Sequence, residues 1–196
     1  MYAAKLGAKK VIATDIYEKA VVCARMNAQR LGLSGVFEVR LVPDQDISAY
    51  SSVKPDDKFD VIISNPPYSI NLDVQKNTSI IDNGDLGMSI IKGLEKHLKP
   101  KGTAILLYNS YFYHYVMVKF ARYAGYSVIN YEPKFSTPWE EDALFNSYLK
   151  RLLAYNNLPL DAFQFDWRQD NRKRTIPFQL SGDYSGLIII SRPANK

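Results

Sequence analysis

A chain of 196 residues with 46% hydrophobic content is long enough for one α/β domain with a sizeable core. Its single cysteine, Cys23, excludes an internal disulfide, and with only His97 and His114 beside it there is no zinc-ligand spacing, so no metal is expected. Apolar runs such as 104–108 and 187–190 are far too short to cross a bilayer and no signal peptide opens the chain, which predicts a cytoplasmic setting. The net charge of +5 leans toward a polyanionic partner but falls short of a dedicated nucleic-acid arm.

In chain order, Tyr2 to Leu6 reads as the last turns of a helix closed by Gly7, and Lys10 to Thr14 as a short apolar strand ending at Asp15. Glu18 to Leu31 places Ala20, Val21, Ala24, Ala28 and Leu31 at helical spacing, with Gly32 as the stop. Val36 to Val42 is a strand, Asp44 to Asp57 a polar connection, and Asp60 to Ser64 another strand. After a polar stretch from Ser69 to Gly84, Asp85 caps a helix running to about Leu98. Lys99-Pro100-Lys101-Gly102 then turns the chain into the strand Thr103 to Tyr108. A helix from about Tyr111 to Ala124 leads through Gly125 to the strand Tyr126 to Tyr131. Strands alternating with helices predict an α/β, doubly wound, mostly parallel sheet, whose strand ends line one ligand-binding edge.

Between the strand 59–64 and the polar stretch lies Asn65-Pro66-Pro67-Tyr68. An Asn side chain offers one carbonyl acceptor and one NH2 donor, so it can take a hydrogen bond from a planar amino group and leave the nitrogen lone pair aimed elsewhere. Two prolines stiffen the loop, and a tyrosine ring supplies a flat face for stacking. A Pro-Pro turn with Tyr68 simply packed is the plainer reading of the same residues. The run resembles the Asn/Asp-Pro-Pro-Tyr/Phe motif of class I S-adenosylmethionine-dependent methyltransferases that act on amino or amide nitrogens. The resemblance extends over most of Ala3 to Tyr131, including the Lys-Pro-Lys-Gly turn before a strand.

That resemblance implies S-adenosylmethionine as cofactor and a Rossmann-like fold. It implies Asn65, Pro66, Pro67 and Tyr68 as the catalytic grip, with Asn65 also at the cofactor. Asp15 becomes the ribose ligand, with Ile16 or Tyr17 against the adenine face. Asp44, or alternatively Asp46, becomes the ligand of the adenine amino group. Asp15 and Glu18 also fit an Asp-x-x-Glu helix start, and Asp44 and Asp46 also fit solvated turn positions. Family members begin with an apolar strand entering an Asp/Glu-x-Gly-x-Gly-x-Gly loop, and nothing of that pattern occurs in this sequence. In the family's sheet order the absent strand lies between the strands ending at Asp15 and at Ser64. The expectation is therefore one methyltransferase-like domain over 1–196, the carboxy-terminal part of a longer enzyme, with an antiparallel last strand at Gly186 to Ser191.

Residues 132–185 form an insertion far longer than an ordinary hairpin connection. Trp139, Ala143, Leu144, Leu149, Leu152 and Leu153 follow helical spacing, and Phe163, Phe165 and Trp167 stand beside Arg168, Arg172, Lys173 and Arg174. Aromatics interleaved with cations suit base stacking and phosphate contact, so those four cations are the substrate-binding candidates; aromatics anchoring the insertion under a solvated basic face is the alternative. Three functional readings follow. The first is an N-methyltransferase acting on a nucleic-acid base at adenine N6 or guanine N2, with RNA or DNA as partner. The second acts on a protein glutamine amide, and the third is a non-catalytic fragment or interaction subunit unable to hold the cofactor alone.

Overall fold

The computed structural model describes residues 1–43, 48–66, 85–108, 111–131 and 186–193. The chain divides into two compact units, Met1–Pro55 and Asp56–Lys196. In the first, helix α1 (Tyr2–Lys5) precedes strand β1 (Val11–Asp15), helix α2 (Glu18–Arg30) and strand β2 (Phe37–Leu41). β1 and β2 pair in parallel from Val11 opposite Phe37 to Asp15 opposite Leu41. Of the α2 stripe expected at Ala20, Val21, Ala24, Ala28 and Leu31, the residues Val21, Ala24 and Ala28 pack with Phe37 and Val39, with Val11, Ala13 and Leu33 around them, whereas Leu31 is exposed beyond the helix end. Gly32 follows α2 with φ +68°, a left-handed conformation that a side chain would strain, and this ends the helix where the sequence does.

The second unit contains β3 (Phe59–Ser64), α3 (Asp85–His97), β4 (Leu98–Tyr108), α4 (Tyr111–Tyr123), β5 (Ser127–Tyr131) and β6 (Gly186–Ser191). The strand order is β3-β4-β6-β5. β3 runs parallel to β4, while β6 is antiparallel to both β4 and β5, as expected of the last strand. Helix α3 packs on β4, and α4 on β4, β5 and β6. Ala104, Leu106, Tyr108, Ile188 and Ile190 are buried together with Ile91, Leu94, Val116 and Met117 of the helices. Period-2 alternation puts Val61, Ile63 and Ile129 on the opposite side of the sheet, at 51%, 68% and 57% exposure.

One boundary differs from the sequence expectation. Lys99-Pro100-Lys101-Gly102 is an irregularity inside a longer β4, because Phe59 pairs with Leu98 while Val61, two residues on, pairs with Thr103, five residues on. Pro100 has no N–H to give a ladder, so the excess residues bulge out rather than ending the strand. Around it, Lys99 forms an ion pair with Asp60 at 2.8 Å, and Arg192 donates to the carbonyls of Glu95 and Leu98 at 2.6 and 2.9 Å, closing the end of α3. His97 is buried, its Nδ1 2.9 Å from the Asp57 carbonyl, which makes this ring a structural tie. β1 and β2 form a two-stranded sheet, and β3, β4, β6 and β5 a four-stranded one.

Candidate functional site

Both candidate chemistry-bearing positions in the described residues are strand ends. In the first unit, Asp15 is the last residue of β1 and is partly buried, with Ile16 and Tyr17 exposed directly after it. Its backbone carbonyl accepts from the Val42 N–H at 2.8 Å, and its carboxylate Oδ1 accepts from the Tyr17 N–H at 2.9 Å. That second bond makes a local Asx turn. It does not cap the helix: α2 starts at Glu18, and its N-cap is Tyr17, which makes no side-chain capping bond. The helix-start reading of Asp15 and Glu18 therefore leaves the carboxylate's role open to a ligand, and Oδ2 has no partner among the described residues. A partly buried carboxylate with one oxygen held by the backbone can accept hydrogen bonds from the hydroxyls of a ribose diol.

In the second unit, the apolar run 59–64 forms β3 because β-branched residues suit a parallel strand, and Asn65 and Pro66 follow as its continuation. Asn65 is exposed and Pro66 is buried. A buried ring with fixed φ directly after an exposed amide limits how far that amide can wander. Ser64 pairs with Leu106, two residues before Tyr108, the last residue of β4. Tyr108 is 1% exposed and sits under the first turn of α3; the sequence reading used it only as a strand terminus. The signal that could have found it was a glycine at 87, two residues into the helix that starts at Asp85.

Pro67, Tyr68, Asp44, Asp46, Arg168, Arg172, Lys173 and Arg174 lie outside the described residues, as does the insertion 132–185. A cleft of about 630 Å³ in the first unit is lined by Arg25, Ala28, Phe37, Glu38, Val39 and Arg40 among others, and does not include Asp15. Its two cations are already engaged: Arg25 donates to the Val39 carbonyl at 3.0 Å, and Arg40 to Glu38 at 2.7 Å and to the Ser52 carbonyl at 2.8 Å. Volume alone thus points away from the strand-end chemistry. Among the described residues no group of His, Cys, Asp and Glu could hold a metal ion, and no helix is long and apolar enough to cross a membrane.

Residues 3–122 match the UPF0020 family, the RMKL-like methyltransferase domain. Among curated proteins, the chain is 34% identical to a release factor glutamine methyltransferase of Koribacter versatilis, over 47% of this chain and 35% of that one. It is 36% identical to a ribosomal protein L11 methyltransferase of Lactobacillus delbrueckii subsp. bulgaricus, over 55% of this chain and 31% of that one. The chain thus spans about a third of the length of these relatives. Among solved structures, it resembles a methyltransferase from Pyrococcus furiosus with a TM-score of 0.50 and 26% identity, covering 68% of this chain and 60% of that one. An α/β fold with a parallel pair and an antiparallel closing strand agrees with that likeness.

Proposed function

The chain belongs to the UPF0020 RMKL-like methyltransferase-domain family, and from that premise we propose that it is part of an S-adenosylmethionine-dependent N-methyltransferase whose acceptor is a planar amino group. The observation that carries this reading is the end of β3: an exposed Asn65 amide directly before a buried Pro66. The Asn65 side-chain carbonyl and the Pro66 carbonyl take the two acceptor hydrogens, so the nitrogen lone pair is turned out of conjugation and toward the donor. Tyr68 stacks on the acceptor plane. The available Oδ2 of Asp15 fits a ribose hydroxyl, Ile16 and Tyr17 offer apolar surface to the adenine, and Asp44, or Asp46, accepts from its amino group. S-Adenosylmethionine supplies an already electrophilic methyl carbon, so placement and stabilisation of the charge developing on nitrogen are the protein's task.

The acceptor proposed is a nucleic-acid base, adenine N6 or guanine N2. What supports it is the net charge of +5 and the aromatic and cationic run Phe163, Phe165, Trp167, Arg168, Arg172, Lys173 and Arg174. A glutamine amide of a protein is the second reading, favoured by the 34% identity to a release factor glutamine methyltransferase. It presents the same planar NH2 to the same asparagine. The complete gene product, incubated with tritiated S-adenosylmethionine and a cell extract, distinguishes them. Label lost on nuclease treatment supports the base, and label that survives nuclease but not protease supports the amide. Wild-type labelling by Asn65→Ala would overturn both.

A further inference from the structure

Three elements of the second unit converge on the end of β4. A Cβ placed on Gly87, in the first turn of α3, would lie 2.4 Å from the Tyr108 hydroxyl oxygen and 2.9 Å from the Met117 sulfur of α4. Both are closer than real Cβ atoms come, so a side chain at residue 87 would force the Tyr108 hydroxyl, the Met117 thioether or α3 itself to shift. Glycine inside a helix costs about 1 kcal/mol relative to alanine, and its presence there requires a compensating reason. The close approach is that reason. Gly87, Tyr108 and Met117 are all buried, with Tyr108 at 1% and Met117 at 0% exposure. Both helices begin at this edge of the sheet, and the parallel pairing of β3 with β4 ends at Ser64–Leu106, two residues before the buried Pro66 on one strand and before Tyr108 on the other.

We propose that Tyr108 is a positioning residue for the Asn65–Pro66 strand end, its ring wedged between α3 and α4 with Gly87 as the notch that admits its hydroxyl. The wedge fixes where β4 stops and, through the parallel ladder, where β3 stops. Only the meaning of that position, a grip on an acceptor nitrogen, rests on the proposed function. The packing claim is separate and is tested without methyl transfer.

The test uses the 196-residue chain with Gly87→Ala, Tyr108→Phe, the pair combined, and Tyr108→Leu. Backbone amide exchange is followed in the segments 59–66 and 86–91. Overpacking of this kind makes exchange in Gly87→Ala faster by roughly tenfold in both segments and lowers Tm by roughly 3–10 °C. In the double variant the hydroxyl is gone and the nearest remaining ring atom stands at 3.4 Å, while the Met117 thioether can swing aside. Exchange and Tm should then return to the level of Tyr108→Phe alone. Tyr108→Leu removes the wedge without inserting bulk and should loosen 59–66 as well as 86–91. Loosening of 86–91 with 59–66 unchanged would reduce Gly87 and Tyr108 to local packing and overturn the positioning role. A double variant as loose as Gly87→Ala would overturn the notch. If Gly87→Ala does not fold, a folded double variant supports the notch and an unfolded one rejects it. Loss of the acceptor reading by nuclease and protease assays would leave these outcomes unaffected.

Discussion

The two units carry their candidate residues on very different foundations. In the second, a four-stranded sheet lies against two helices, and every large side chain with under 2% exposure among the described residues belongs to it, from Met88 through Ile190. In the first, two strands and α2 share a core of Val21, Ala28, Phe37 and Val39, the last two still 9% and 7% exposed. A two-stranded pair with one helix buries little, and parallel pairs are ordinarily covered more completely than this. Asn65 thus follows an edge strand with no buried residue of its own, joined by its parallel pairing with β4 to a densely packed unit, and Asp15 ends a strand of the thinner unit. The lesson is about division of labour: the proposed acceptor grip is held by the well-packed unit, and the proposed ribose contact by the one with less to hold it.

The largest expected effect separates chemistry from packing. Asn65→Ala should reduce methyl transfer by the complete enzyme about 10²–10³-fold, the usual loss for one hydrogen-bonding group aimed at a reacting centre. Because Asn65 is exposed, its Tm should stay close to wild type. A parallel fall in Tm and activity would mean that the residue supports the strand end rather than the acceptor. Next in size is a matched pair of truncations. Ile91→Ala, at 0% exposure, should cost about 2–5 kcal/mol in denaturant unfolding, whereas Val39→Ala, at 7%, removes less from a core that can relax, about 1–2 kcal/mol. Equal losses would break the contrast between a dense and a thin unit.

Most of this architecture was legible in the sequence, and where it was not, the reason is physical. The stripe Val21, Ala24, Ala28 fixed α2 within a residue at its end, since helical periodicity is a strong local signal and Gly32 supplies the stop. The Lys99–Gly102 segment misled because a turn and a bulge demand the same residues, and only the partner strand decides between them. Asp15 was ambiguous for a related reason: an acidic residue before a helix serves either the helix or a ligand, and only its bond to Tyr17 N–H shows that it does not cap α2. Tyr108 went unnoticed because its importance comes from Gly87 and Met117, far away in sequence. Asp15→Asn tests the first unit directly. The amide keeps an acceptor for Tyr17, so the turn and Tm should persist, while affinity of the complete enzyme for S-adenosylmethionine falls roughly tenfold on loss of one charge-assisted bond. Unchanged affinity would return Asp15 to a purely structural role and leave the first unit without its proposed contact.

The smallest effect concerns one carboxyl in each unit that an ion pair holds below its ordinary value, Glu38 and Asp60. In the first unit, the Arg40 hydrogen bond at 2.7 Å holds Glu38 below its ordinary value of 4.5, helped by the charges of Arg40, Lys10 and Lys54. In the second, the Lys99 hydrogen bond holds Asp60 below its ordinary value of 3.8. The sign is the same for both: a folded-state pKa below the unfolded one adds stability that is fully present above the unfolded value and is lost as pH falls through the folded one. The environments differ, since Arg40 is only 12% exposed and also ties β2 to the Ser52 carbonyl, whereas Lys99 and Asp60 are 45% and 79% exposed. Solvent screening limits the Glu38 contribution to well under about 1 kcal/mol. Amide protection of the segment 36–43, relative to the intrinsic exchange rate at each pH, should therefore fall slightly between about pH 5 and 3, and Glu38→Gln should flatten that acid limb. Asp60→Asn should leave amide protection in 59–64 unmoved over the same range. An acid limb confined to 59–64 would reverse the comparison, making the exposed pair of the dense unit matter more than the sheltered pair of the thin one.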